Sequence, residues 1–276
     1  MADDDSKTDE EMPLVEHLRE LRRRLIFSGV AILLAFVVCF AFAQPIYNFL
    51  AQPLADLWQG QEGRRMIATA LHEQFFTQIK VAFFAAFCLA FPIIASQLWV
   101  FIAPGLYKRE KQAFLPFLIA TPVLILLGGS FVYYIVLPVA WELFASFEQL
   151  GDTSQLAIQL EPKINEYLSL VMRLIFAFGL SFELPVVLTL LARAGIVSSG
   201  GLKKKRRYAI VLAFVAAAIL TPPDPLSQIG LAIPIIILYE LSILSAQLIE
   251  RARYKREEEV EEGDEPQDEQ DAHNTK

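Results

Sequence analysis

The chain has 276 residues, 55% of them hydrophobic, with 21 Phe and a mean hydropathy of +0.43. Soluble domains are about 45–50% apolar and spread those residues by periodicity. Here they gather in blocks long enough to cross lipid, which excludes a pair of soluble domains and points to one helical membrane bundle. The net charge is −7, yet the acid is concentrated in residues 1–11 and 257–271, and the remainder is basic.

Acidic ends of this composition are expected to be disordered and solvating. The expected division is an acidic N-terminal tail (1–12), a membrane domain (13–252) and an acidic C-terminal tail (253–276). Cys39 and Cys88 lie in separate apolar runs and read as small packing residues, able to bridge only if their helices touch. The three histidines are scattered without metal-ligand spacing, so neither a metal nor a cofactor is expected. The acidic N-terminus has no basic segment running directly into an apolar core, which argues against a cleaved signal peptide or a transit peptide.

In residues 13–24, Leu14, Leu18, Leu21 and Leu25 share one helical face, and Glu16, Arg19, Glu20, Arg22, Arg23 and Arg24 fill the others. This predicts an amphipathic helix on the membrane surface that runs into span one (25–43). Residues 45–59 mix prolines and aromatics and predict short interfacial helices. Span two covers 75–102, with Lys80 placed to snorkel near its end. Span three covers 112–138, where Pro116 and Pro122 allow bends. Residues 139–162 form a second excursion, and span four covers 164–192, with Glu166 and Arg173 at its near end.

The basic run Lys203–Arg207 follows. Beside a span, such a run is a topology signal rather than a nucleic-acid site. From Tyr208 to Leu220 there are too few residues to cross, since such a helix reaches only about 20 Å against a core of about 30 Å. Thr221-Pro-Pro-Asp-Pro225 then forces a turn into span six, interrupted by Glu240. The expected fold is therefore an all-α integral membrane protein with six transmembrane helices, the last two short. The cations cluster in alternate loops, and the positive-inside rule places both termini in the cytoplasm.

The broken segment Trp99–Lys111 holds Pro104, Gly105, three cations and the carboxylate Glu110 between apolar runs, so it must surface at one membrane face. Glu183, in Phe178–Pro185, lies deep in span four, where a charge costs on the order of 2.5–3.5 kcal/mol. It reads either as a carboxylate facing the bundle interior or as a protonated acid bonded to a neighbouring helix. Pro185 should kink the helix there. Asp224, Gln228, Thr221 and Ser227 flank the turn between the short spans, where Asp224 is equally a helix cap. Glu20 reads at this level as an i,i+4 partner of Arg24 or as a binding carboxylate. No catalytic constellation is present: there is no phosphate loop, no histidine pair and no nucleophile with a base.

Five stretches then carry a resemblance in order: Leu18–Leu25, Glu73–Lys80, Phe101–Glu110, Phe178–Pro185 and Thr221–Asp224. Together they resemble TatC, the multi-span receptor subunit of the twin-arginine protein translocase. The resemblance implies a concave, glove-like bundle in the bacterial inner membrane. It implies export of folded proteins driven by the proton-motive force, with TatA- and TatB-type single-span subunits as partners in a multimeric complex. The signal-peptide contacts expected on this basis are Glu20, Arg22, Phe101, Pro104, Leu106 and Glu110. The intramembrane polar set expected to meet partners is Glu183, Thr221, Asp224, Gln228 and Glu240. The alternative is a proton-coupled small-solute transporter with Glu183 as its relay, which internal symmetry between halves would favour; none is seen.

Overall fold

The computed structural model describes residues 14–59, 63–102, 111–148, 160–193, 195–221 and 225–263. Among them all regular structure is helical apart from one parallel bridge between Ile67 and Lys163. The chain forms two compact units, residues 1–123 with 133–173, and residues 124–132 with 174–276.

In the first unit, α1 (Leu14–Ala41) carries the amphipathic segment and the first span in one unbroken helix. The expected surface helix is thus the opening turns of the span itself. Helix α2 (Ala43–Leu57) buries Leu50, Ala51, Pro53 and Leu54. On its exposed side Gln44 donates to Asn48 at 3.1 Å and Gln52 to Asp56 at 2.7 Å. Pro53 lacks the N–H that would bond the Phe49 carbonyl. Tyr133 Oη donates to that carbonyl instead, at 2.8 Å, with its ring stacked on Phe49 at 4.5 Å.

Helix α3 (Glu73–Ile102) packs antiparallel on α1. Cys39 and Ala43 meet Ala82 and Ala86, small residues that let two membrane helices approach closely. The helices bearing Cys39 and Cys88 do touch, and both thiols are free. Lys80 donates to Asn165 Oδ1 at 2.7 Å.

Helix α4 (Lys111–Phe131) runs unbroken past Pro116 and Pro122. Membrane helices absorb a missing N–H without breaking. The irregularity comes later, as a π-helical turn at Val132–Val136 before α5 (Leu137–Ala145). Within α5, Trp141 is buried and rests on Tyr167 at 5.2 Å.

One clasp joins the segments at the α2–α3 end of this unit. Arg64 donates Nη1 and Nη2 to the two oxygens of Glu148, each at 2.5 Å, and Leu160 N donates to Glu148 Oε1 at 2.7 Å. The guanidinium lies 6.0 Å from the Trp58 ring centroid. These bonds hold the Glu148 carboxyl below the usual carboxylate range and push Arg64 up.

In the second unit, Gly128 of α4 meets Gly179 of α6 (Ile164–Phe182) backbone to backbone. A Cβ on Gly128 would lie 2.8 Å from the Phe178 carbonyl oxygen. Phe131 packs on Phe178 and Phe182, each at 5.9 Å. The helix breaks at Glu183 and resumes as α7 (Leu184–Arg193), the interruption that Pro185 predicts. Gly195, at φ +73°, turns the chain into α8 (Ser199–Lys204). Then come α9 (Arg206–Leu220) and α10 (Pro225–Gly263), and α7, α8 and α9 all pack on α10.

Among the described residues five segments are long and apolar enough to cross a membrane: Leu18–Ala41, Glu73–Leu98, Ile119–Ala145, Ile164–Arg193 and Gln228–Ala252. The expected short span is α9, whose 15 residues reach only about 22 Å. The other expected short span is not short as a helix. It continues through Glu240 and past Ala252 to Gly263, because its later residues are strong helix formers.

Candidate functional site

Glu20 sits near the start of α1, with Arg19, Arg22 and Arg23 exposed around it. Its carboxylate pairs with Arg24 one turn on, accepting from Arg24 Nε at 3.1 Å and also from Nη2. This is the i,i+4 pair that the sequence allows. Phe101 is half-buried in the last turn of α3. Pro104, Leu106 and Glu110 lie outside the described residues.

The α1–α3 register relates Glu20 to that segment. Cys39 is level with Ala82 and Ala86, and the helices are antiparallel. Going from Cys39 back to Glu20 covers the same rise as going from Ala82 forward to Phe101. Glu20 and the end of α3 therefore share one end of the helix pair, the end from which residues 103–110 lead on.

In the second unit, Glu183 is buried at 6% exposure, at the break between α6 and α7. Its carbonyl still accepts from Val187 N at 2.9 Å. Thr221 ends α9, and its hydroxyl donates to the Ala217 carbonyl at 2.8 Å. Gln228 Nε2 donates to the Phe214 carbonyl at 3.1 Å, tying the start of α10 to α9. Glu240 accepts from Arg206 Nη2 at 2.5 Å, where α9 begins. This pair closes the α9–α10 hairpin, and only about 22 Å of apolar helix lies between it and the turn. Asp224 lies outside the described residues. Glu166 pairs with Lys163 at 3.4 Å in an exposed position, and Arg173 is exposed.

Sequence reasoning missed the partner of Glu240, the Arg64–Glu148 clasp and the Gly128–Gly179 contact. The glycine pair at 128–129 inside an apolar run was a readable sign of close helix approach. The two ion pairs join residues 34 and 84 positions apart and leave no local pattern. Among the described residues no group of His, Cys, Asp and Glu could hold a metal ion.

Long apolar helices, a carboxylate buried at a helix break (Glu183) and a basic helix end around Glu20 define a polytopic α-helical membrane protein. The family model for the Sec-independent protein translocase protein TatC matches residues 16–234. The chain is 53% identical over 249 residues to the TatC of Magnetococcus marinus, covering 90% of this chain and 89% of that one. It is 41% identical over 246 residues to the TatC of Escherichia coli, covering 89% and 92% respectively. It is also similar to a solved crystal structure of the twin-arginine translocase receptor TatC. That similarity has a TM-score of 0.73 and 39% identity over 84% of this chain and 99% of the other. The chain belongs to the TatC family. It is a multi-span bacterial membrane protein and a subunit of the Sec-independent protein translocase, a transport component and not an enzyme.

Proposed function

We propose that this chain is the receptor and core subunit that binds twin-arginine signal peptides at the cytoplasmic face. In this reading it supports proton-motive-force-driven export of folded proteins together with TatA- and TatB-type single-span subunits. The observation that supports the reading is the α1–α3 register, which brings Glu20 level with the C-terminal end of α3, the helix that precedes Pro104, Leu106 and Glu110 in the sequence. The receptor named in the matched crystal structure supports it. Family membership takes the place of the solute-transporter alternative. In the same reading both termini are cytoplasmic, which the cation-rich segments Arg19–Arg24 and Lys203–Arg207 support by the positive-inside rule.

The chemistry is exchange of one guanidinium for another. The Glu20–Arg24 pair within α1 is worth only about 0.3–0.5 kcal/mol. An incoming arginine, free to meet the carboxylate bidentately, forms charge-assisted bonds of about 1.5–3 kcal/mol. Two carboxylates, Glu20 and Glu110, reward two arginines, with Arg22 and Phe101 beside them. Lysine lacks the planar fork and replaces arginine poorly. Glu183, Thr221, Asp224, Gln228 and Glu240 are the polar groups offered to partner helices.

The test is photocrosslinking in membranes with the photoreactive group carried by a twin-arginine signal peptide, beside its arginine pair. Crosslinks to the segments around Glu20 and Glu110 are expected, lost in Glu110→Ala and when the arginine pair becomes lysine. Undiminished binding in the Glu20→Ala, Glu110→Ala double variant refutes the site.

A further inference from the structure

We infer that the corner between α8 and α9 is a binding site for anionic phospholipid headgroups, with Lys203, Lys204, Lys205 and Arg207 as the phosphate ligands. Five consecutive cations, Lys203–Arg207, are all exposed here. Among the described residues Arg206 is the one of the five that pairs with a carboxylate, Glu240. The other four are exposed, Lys203 and Lys204 in the last turn of α8, Lys205 between the helices and Arg207 in the first turn of α9, and cations at the entry to an apolar helix suit headgroup depth. Tyr208 is 57% exposed beside them, and Arg207 lies 4.9 Å over its ring. An exposed tyrosine under a guanidinium suits the boundary between acyl chains and phosphates.

A topology signal needs only cations in a loop. This corner is instead built and pinned. Leu202 is buried against Ala192, Ile243 and Ala246. Tyr239 Oη donates to the Leu202 carbonyl at 2.9 Å. Ser199 N donates to Glu250 Oε1 at 2.7 Å, and the Ser199 hydroxyl donates to Oε2. The anchors fix α8 on α10, so the backbone bearing the four cations is already ordered and little backbone entropy is lost on binding. The N-terminal end of α9 adds its dipole to the same positive field. The chain's own acidic residues 257–271 are a competing anion, and deleting them in the test separates that occupant from the lipid. The inference does not rest on signal-peptide binding.

The test uses the full chain in nanodiscs of phosphatidylcholine with a minority of phosphatidylglycerol, with retained lipids read by native mass spectrometry. Wild-type protein is expected to retain phosphatidylglycerol selectively, and raised salt should weaken the selectivity. At about fivefold per cation near the surface, neutralising four should reduce the preference at least tenfold. The variant is Lys203→Gln, Lys204→Gln, Lys205→Gln, Arg207→Gln, which keeps Arg206 and its Glu240 pair. Lys204→Gln, Lys205→Gln should give an intermediate loss and serves if the fourfold variant fails to fold. Neutralising Arg65 and Lys163 instead should change nothing, and inorganic phosphate should not compete. Unchanged selectivity in both corner variants overturns the inference. So does competition by inorganic phosphate, or selectivity that arises only after residues 257–276 are deleted, which would make that segment the occupant.

Discussion

Replacing Glu148 by Ala isolates the Arg64 guanidinium in a site where it is only 10% exposed, with Glu148 itself 12% exposed. The substitution removes both 2.5 Å bonds and the 2.7 Å acceptor of Leu160 N. Breaking a fully buried pair costs about 3–5 kcal/mol, and an exposed one about 0–1 kcal/mol. The clasp is well covered, but by loop segments at the end of a bundle where water is near, so we expect about 2–3 kcal/mol. For a chain of this size that lowers Tm by about 5–10 °C. The assay is thermal unfolding of the purified protein in detergent, followed by thiol labelling of the buried Cys39. Arg64→Met alone should cost a comparable amount. The Arg64→Met, Glu148→Leu double variant should recover most of the loss, because an apolar pair leaves no buried charge. Two single variants that unfold with wild type, or a double variant whose loss is the sum of the singles, would refute the reasoning.

Three further outcomes follow from the geometry. The Glu148 carboxyl is held below its ordinary value of 4.5, so its contribution is complete above pH 4.5 and fades as pH falls through the lowered folded value. The Tm gap between wild type and Glu148→Gln should therefore be constant from neutral pH to about 5 and narrow only in more acid solution. Gly128→Ala forces a Cβ to 2.8 Å from a backbone oxygen and should cost about 1–3 kcal/mol. Gly179→Ala makes only ordinary contacts, the nearest at 3.6 Å, and should unfold close to wild type in the same thermal scan. Tyr133→Phe leaves the Phe49 carbonyl without its donor and should cost about 1–2 kcal/mol. Adding Pro53→Ala restores the helical N–H, so the double variant should unfold above Tyr133→Phe.

The sequence by itself determined the class, the helices and the family. Lipid tolerates only backbone that bonds within its own segment, so the apolar blocks of 20 or more residues had to be helices whatever their tertiary partners. The break at Glu183 was legible because Pro185 acts on its own turn, and the shortness of α9 followed from counting residues between Arg207 and Thr221. The motifs that named the family are local strings in a fixed order. The tertiary structure alone decided what depends on residues far apart in the chain. The Pro53 defect is answered by Tyr133, Glu240 by Arg206 and Glu148 by Arg64, and none of these partners is a local neighbour. The level of Glu20 against the end of α3 is likewise a packing result, set by Cys39 lying on Ala82 and Ala86. Helical periodicity says which face of a helix is apolar, but the register between two apolar faces is chosen by which side chains are small enough to let the backbones meet.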